Sequence, residues 1–140
     1  MTDWSNRFVG IPYEQFGRSE IGVDCWGLAC IVYSEELNIT LPEYLGEGAR
    51  GENAEIAALV SGEAASPLWV PVTGPAVAFD IAVFKRGRWD AHVGIVIQHG
   101  LMLHVAAGDC AKIETYAKGI WKTRLTGVYR HVELIRLAAQ

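Results

Sequence analysis

Apolar residues recur at helical spacing in the part of the chain that begins at residue 24. Cys25, Leu28 and Val32 fall three or four positions apart, and Asp24 precedes them in the position of a helix N-cap. A residue of this kind accepts hydrogen bonds from the free N–H groups of the first turn. The pattern therefore predicts a helix over residues 24–37, capped by Asp24.

Two shorter helices are predicted on either side of this one. Trp4 and Phe8 stand four positions apart and predict a short N-terminal helix that ends at Gly10. Residues 10–23 have no helical or strand periodicity and are predicted as a loop. Residues 53–60 follow a glycine-rich passage and predict a second short helix.

Beyond residue 78 the apolar positions change from a helical period to alternation. β-branched and aromatic residues now occur in short runs between glycines, as is typical of strands. Strands are predicted over residues 80–84, 92–98, 101–106 and 128–137, with His99 and Gly100 as a hairpin turn. Helices followed by strands predict an α+β fold, in which the N-terminal helices pack on an antiparallel sheet.

Composition narrows the class of protein. The chain has 140 residues, of which 51% are hydrophobic and 20% charged, and this predicts one folded domain over residues 1–140. A net charge of −4 argues against a nucleic-acid partner, because proteins that bind nucleic acid concentrate Lys and Arg on one face. No apolar run reaches the roughly 18 residues of a membrane span, so no membrane partner is expected. The first residues also lack the pattern of a secretory signal.

The three cysteines form an odd set without the spacing of a zinc site or a disulfide framework. Cys25 follows the predicted cap Asp24, where the free N–H groups and the helix dipole favour a thiolate. Cys25 is therefore the candidate nucleophile, and the alternative is a small buried apolar residue. Gly27 lowers the helical propensity of the same turn, which indicates a close approach by another group. Cys30 and Cys110 receive no role, and no metal or cofactor is expected.

Two histidines of the predicted sheet are candidates for proton transfer. His92 is the candidate general base and acid, because imidazole changes its charge near neutral pH. His104 is the candidate that orients His92, and the alternative for each is an ordinary strand histidine. A two-residue turn at 99–100 would place His104 opposite Ile95 and turn the two histidines to opposite faces. A bulge, expected near Gly94, or a longer connection is needed to bring them together.

Several segments resemble the motifs of NlpC/P60 cysteine peptidases. The opening motif is matched by Gly-Ile-Pro-Tyr-Glu-Gln-Phe-Gly-Arg at 10–18 and by Gly-Val-Asp-Cys-Trp-Gly-Leu at 22–28. Asp-Ile-Ala-Val-Phe at 80–84 looks like the strand before the family's histidine, and His-Val-Gly-Ile-Val at 92–96 looks like the histidine motif. Leu-His-Val at 103–105 resembles the segment of the third polar residue.

The resemblance implies a papain-like α+β fold that needs no metal and cleaves peptide bonds in bacterial cell-wall stem peptides. It implies that Cys25 is the nucleophile, His92 the general base and acid, and His104 the orienting residue. Tyr13 and Asp24 would line the substrate site. Trp26 would shape a substrate groove, and packing in the core is its alternative.

Trp26 also stands where the family usually has serine after the cysteine, and this variant looks like the phage-tail branch. It implies a peptidase that is made in the cytoplasm, carried on a phage tail or gene-transfer particle, and docked to tail or baseplate proteins. One alternative is a structural tail component whose peptidase site is dispensable. Another is an acyltransferase relative, but those place the histidine before the cysteine, whereas Cys25 precedes His92.

Overall fold

A six-stranded antiparallel sheet with helices at its faces and ends forms the centre of the protein. The computed structural model describes residues 3–42, 68–86 and 89–139. In chain order the elements are α1 (Asp3–Asn6), β1 (Arg18–Ser19), β2 (Gly22–Val23), α2 (Cys25–Val32), β3 (Trp69–Pro71), β4 (Ile81–Arg86), β5 (Trp89–Gln98), β6 (Leu101–His104), β7 (Lys112–Thr115), α3 (Gly119–Arg124), β8 (Leu125–His131) and α4 (Val132–Ala138). The large sheet has the strand order β3-β8-β4-β5-β6-β7, and β1 pairs with β2 in a separate hairpin. The predicted α+β architecture is confirmed.

Helix α2 is the buried helix of the fold. All of its residues are buried, and Asp24 caps it by accepting a hydrogen bond from the Gly27 backbone N–H. The chain continues from α2 into a π-helical turn, Tyr33–Leu37, and Asn38 ends the turn in the left-handed conformation with φ of 57°. The predicted cap and the predicted end near Leu37 are both confirmed.

The main core lies between α2 and one face of the large sheet. Val83, Val93, Ile95 and Leu103 supply the sheet side of this core, and each is fully buried. They share one face because neighbouring strands hold Val83 opposite Val93 and Ile95 opposite Leu103. Burial of these branched side chains fixes the register, since a slip by one residue would turn them all to the other face.

A second, smaller core covers the other face of the sheet. Phe84, Val96, Met102 and Tyr116 are buried there, and Trp121 from α3 packs against them. The sequence between β6 and β8 was not predicted to form β7 and α3, although Lys-Ile-Glu-Thr at 112–115 alternates in the manner of a strand. Both faces of the sheet are therefore covered, and α3 provides part of the layer on the second face.

An extra residue in β5 sets the register of the hairpin between β5 and β6. Val96 pairs with Met102, whereas Gln98 pairs with Leu101, so that Ile97 is the extra residue of a β-bulge. The hairpin turn at 99–100 is confirmed. The bulge is present as the sequence required, but it lies beside the turn and not near Gly94.

The C-terminal segment differs most from its prediction. The strand predicted over 128–137 was wrong beyond His131, because Val132–Ala138 forms α4. His131 caps this helix, and its Nδ1 accepts a hydrogen bond from the Glu133 backbone N–H at 3.1 Å. The run Val-Glu-Leu-Ile-Arg-Leu satisfies both the helical and the strand period, and the cap decides between them.

The N-terminal region contains more regular structure than the sequence indicated. The short helix was predicted to reach Gly10, but α1 covers Asp3–Asn6 and a turn follows it. The predicted loop over 10–23 holds the β1–β2 hairpin, in which Arg18 lies opposite Val23. Strand β3 was also not predicted. The helix predicted over 53–60 lies outside the described residues.

Candidate active site

The first turn of α2 carries the candidate nucleophile. Cys25 is the first residue of the helix and is fully buried. The backbone N–H groups of this turn point toward the N-terminus, where they favour negative charge on the sulfur. A Cβ at position 27 would collide with the carbonyl of Gly17, so the close approach that Gly27 indicated is the backbone before β1. The glycine lets this loop pack directly on the turn that holds Cys25.

Asp24 organises the loop in front of Cys25. Its carboxylate is fully buried and accepts hydrogen bonds from the backbone N–H of Phe16 at 2.9 Å and of Gly27 at 2.8 Å. The Arg18 guanidinium donates to the same carboxylate through Nη1 at 2.8 Å. These three donors hold the buried carboxylate in one orientation. Asp24 thus supports the site by capping α2 and by binding the loop before it.

Tyr13 lies where the loop before α2 meets the loop after β6. Its backbone N–H donates to the Asp109 carbonyl at 3.0 Å, and Tyr13 also bridges to Val23. The side chain is partly buried against the main core. These contacts hold Tyr13 between the segment that leads to Cys25 and the loop that follows His104.

Trp26 packs in the core of the protein. The indole is fully buried, its ring centroid lies 6.3 Å from that of Trp69, and its Nε1 donates to the Pro42 carbonyl at 2.8 Å. Trp26 is therefore a core residue, which was the alternative to its predicted place in a substrate groove. Cys30 is also buried, with its Sγ 3.9 Å from the Pro42 carbonyl oxygen, whereas Cys110 is exposed.

A chain of hydrogen bonds joins two histidines and a carboxylate on the second face of the sheet. His92 Nε2 lies 2.9 Å from His104 Nδ1, and His104 Nε2 lies 2.7 Å from Glu114 Oε1. Both histidines are 1% exposed. The bulge at Ile97 is what turns His104 to the face of His92, and strand pairing of Met102 with Glu114 places the carboxylate beside them. The predicted pairing of the two histidines is therefore present.

Trp121 covers the histidine pair and was missed in the sequence. Its ring stacks on His92 with centroids 5.0 Å apart and planes inclined by 26°, and it meets His104 edge-on at 5.0 Å. The Arg124 guanidinium lies 5.7 Å from the centroid of Trp121 on α3. Stacking of this kind excludes water from the bond between the rings. Only the tertiary packing of α3 reveals this role.

Burial controls the charge of the second histidine. The pKa of His104 is lowered below its usual value of 6.5 because burial disfavours the charged ring. The hydrogen bond and the charge of Glu114 act in the opposite direction but do not outweigh the burial. His104 is consequently neutral at neutral pH, which suits a residue that orients another imidazole.

The strand that carries His92 also borders the core around Cys25. Cys25 belongs to the same apolar core as Val93, which directly follows His92 in β5. Strand β6 ends at His104. Leu103 pairs with Ile95, so His104 lies opposite Gly94, two residues from His92 along β5. The structure thus joins His92 to His104 on a strand that packs against the core containing Cys25.

Neither a metal site nor a membrane span is found in the part of the chain that the structure describes. Within residues 3–42, 68–86 and 89–139, no three His, Cys, Asp or Glu side chains converge as metal ligands. In the same segments no helix combines the length and the apolar character needed to cross a bilayer.

Known structures share this architecture. The NlpC/p60 domain of the peptidoglycan hydrolase SagA aligns with a TM-score of 0.62 at 16% identity, covering 91% of this chain and 93% of that one. A NlpC/P60 family protein from Bacillus cereus ATCC 10987 aligns with a TM-score of 0.63 at 23% identity over 94% of this chain. A protein from Staphylococcus aureus subsp. aureus Mu50, described as similar to lipoprotein of the NLP/P60 family, gives 0.63 at 24% over 91%. At these identities the likeness shows the fold alone.

The length of the match differs among these structures. This chain spans 40% of the Bacillus cereus protein and 39% of the Staphylococcus aureus protein. A search of curated proteins found no match. The sequence model of the NlpC/P60 family matches residues 10–130, which include the loop of Tyr13, helix α2 and the strands of both histidines. The chain therefore belongs to the NlpC/P60 family.

Proposed function

We propose that this protein is a cysteine peptidase that hydrolyses amide bonds in the stem peptides of bacterial peptidoglycan. The family membership supports a cell-wall peptidase, since NlpC/P60 proteins are cysteine peptidases and hydrolases that act on peptidoglycan. The observation that carries the proposal is the buried hydrogen bond of 2.9 Å between His92 and His104. A histidine oriented in this way by a second group is the usual partner of a catalytic thiol.

In the proposed reaction Cys25 is the nucleophile and His92 moves the proton. His92 takes the thiol proton, and the sulfur attacks the carbonyl carbon of the scissile amide. His92 then gives that proton to the leaving amine as the C–N bond breaks, which leaves an acyl-enzyme. Water, deprotonated by His92, attacks the thioester and returns the thiol. His104 holds the His92 ring, and Tyr13 and Asp24 shape the loop in front of the sulfur.

Loss of either reacting group tests this assignment. Cys25→Ala and His92→Ala should each abolish release of peptides from purified cell-wall material, because no covalent intermediate or no proton transfer remains. Cys110→Ala is the matched control, since this thiol is exposed and should be dispensable. Mass spectrometry of the released fragments identifies the bond that is cut. Normal cleavage by both active-site variants would refute the proposal.

The pairing of thiol and imidazole has a separate test. Iodoacetamide should alkylate Cys25 of the wild-type protein rapidly at neutral pH, because His92 accepts the thiol proton as the sulfur reacts. In His92→Ala the rate should fall about tenfold or more, toward that of an ordinary thiol. Cys110, followed by peptide mapping in the same samples, supplies the reference rate. Equal rates at Cys25 in both proteins would show that His92 does not act on this thiol.

We further propose that the peptidase works from a phage tail or a related particle. The support is the resemblance of the Cys25-Trp26 pair to the phage-tail branch. Particles assembled with Cys25→Ala should form normally and deliver their nucleic acid poorly. Failure of those particles to assemble would instead favour a structural tail component.

A further inference from the structure

Glu114 ends the hydrogen-bond chain that starts at His92. Its Oε1 lies 2.7 Å from His104 Nε2, and its side chain is 37% exposed, whereas that of His104 is 1% exposed. Lys112 Nζ lies 3.9 Å from the same carboxylate oxygen and 3.0 Å from Asp109 Oδ2. The carboxylate thus reaches from a solvated and charged surface into the buried histidine pair.

The chemistry of these groups fixes which atom donates and which accepts in each hydrogen bond from His92 to Glu114. A carboxylate accepts hydrogen bonds and donates none, so the bond to Glu114 requires the hydrogen of His104 to sit on Nε2. A neutral imidazole has a single N–H, so His104 Nδ1 must accept. The 2.9 Å bond between His104 Nδ1 and His92 Nε2 then requires His92 to donate through Nε2. The neutral His92 ring consequently has its lone pair on Nδ1.

Without the Glu114 carboxylate, the hydrogen bond between His104 and His92 could have its donor and acceptor exchanged. A neutral His104 with its hydrogen on Nδ1 would donate to His92 Nε2, and the hydrogen of His92 would move to Nδ1. The heavy-atom distances would be the same, but Nδ1 of His92 would have no lone pair. The two arrangements therefore differ only in which nitrogens carry hydrogen.

We infer that Glu114 is a positioning residue that selects, through His104, the His92 tautomer whose Nδ1 is free of hydrogen. The selection itself follows from the geometry of the resting protein. The consequence for catalysis rests on the proposed function, because only a base that acts on Cys25 needs that lone pair at Nδ1. Glu114 has no contact with substrate in this scheme and works through His104.

The tautomers can be measured without any activity assay. Protein labelled with ¹⁵N in histidine is studied by long-range ¹H–¹⁵N correlation spectra, which distinguish a protonated ring nitrogen from an unprotonated one. In the wild-type protein both His92 and His104 should carry hydrogen on Nε2. A wild-type spectrum with hydrogen on His92 Nδ1 would overturn the inference.

Two substitutions at position 114 test the cause. Glu114→Leu keeps the size of the side chain and removes the acceptor, so His92 and His104 should change to the reversed or a mixed tautomer. Glu114→Gln retains an amide oxygen that can accept from His104 Nε2, so it should restore at least part of the wild-type pattern. Lys112→Gln is the control for charge, because it removes the neighbouring ammonium without touching His104. Wild-type tautomers in Glu114→Leu would overturn the inference.

Peptidase activity gives the second readout. We expect kcat of Glu114→Leu to fall about tenfold or more with KM unchanged, because the base is lost from a fraction of the molecules and substrate contacts are intact. Spectra of His99 and His131 serve as the check that the variant is folded. If wild-type protein cleaves no wall material but shows the expected tautomers, the proposed function fails and the inference on Glu114 stands.

Discussion

At the scale of single residues the site depends on close packing around a few side chains. Gly27 is the clearest case, because the loop before β1 passes where its side chain would be. Trp121 is the second case, since it stacks on one histidine and meets the other edge-on. Neither residue has a chemical group that reacts. Gly27 lets the loop before β1 pack closely on the turn that holds Cys25, and Trp121 limits the access of water to the histidine pair.

Substitution of Gly27 should disturb the turn that holds Cys25. Gly27→Ala introduces a Cβ that collides with the Gly17 backbone, and we expect it to lower the free energy of unfolding by about 1–3 kcal/mol. Gly74→Ala is the control, because a Cβ at Gly74 meets nothing within 4 Å. Urea unfolding of both variants measures the difference. Equal stability of the two would contradict the packing argument.

Removal of the Trp121 ring should expose the histidine pair. We expect Trp121→Ala to lower the free energy of unfolding by roughly 2–3 kcal/mol, less than for a fully buried aromatic residue, because the ring is partly exposed. Peptidase activity should fall with it, since water gains access to the bond between His92 and His104. Ile120→Ala on the same helix removes a side chain that is 55% exposed and should change stability by only about 0.5 kcal/mol. Equal effects of the two substitutions would contradict the stacking role.

At the scale of elements the start of α2 is fixed by one carboxylate. Asp24 joins the helix to the loop through the Gly27 and Phe16 N–H groups and the Arg18 guanidinium. Because the cap is adjacent to Cys25, the candidate nucleophile, any disorder of the cap moves the sulfur. The start of α2 is therefore as much a part of the candidate site as Cys25 itself.

Substitutions of Asp24 should separate its role as a helix cap from its ion pair with Arg18. Asp24→Ala removes the cap and leaves the Arg18 charge without its partner carboxylate, so we expect a loss of about 3–5 kcal/mol in the free energy of unfolding. Asp24→Asn keeps an oxygen that can cap the helix and should lose less. Thermal and urea unfolding measure both. A larger loss for Asn than for Ala would refute the assignment of the cap.

The β5–β6 hairpin is the second element that makes the site. Without the extra residue Ile97, His104 would pair opposite Ile95 and point to the core of α2. The bulge changes the parity of the strand by one residue. Two histidines that are 12 residues apart along the chain thus reach a separation of 2.9 Å between ring nitrogens.

At the scale of the whole molecule, buried histidines make stability depend on pH. The folded protein lowers the pKa of His104 and of His131 below the usual 6.5, in both cases mainly through burial. The unfolded chain therefore binds protons more readily than the folded one as the pH falls through this value. Stability from these two groups is complete above pH 6.5 and is lost as the pH falls toward the folded-state values.

This dependence can be measured by unfolding at several pH values. We expect the free energy of unfolding to fall between about pH 7 and pH 5.5, with a slope of at most about 1.4 kcal/mol per pH unit for each histidine. His131→Asn retains a capping side chain and should reduce the slope, because it removes one of the two groups. A slope unchanged by this substitution would show that His131 does not contribute.

Local chemistry along the chain was enough to predict several parts of this protein. Asp24 as a cap, the apolar spacing of α2 and the turn at 99–100 need only neighbours along the chain, and all three are confirmed. The α+β order of elements followed from the change of period near residue 78. The motifs around Cys25 and His92 indicated the family for the same reason, since each motif is a short contiguous string.

The features that join different segments depend on how the whole chain packs and could not be predicted from local patterns. The position of the bulge at Ile97, the Glu114 carboxylate behind His104 and the Trp121 ring over the pair depend on which strands become neighbours and which helix covers them. The C-terminal run fits a strand and a helix equally well, and the cap at His131 decides for the helix. Periodicity describes one segment at a time, whereas these contacts are set by the burial of several segments together.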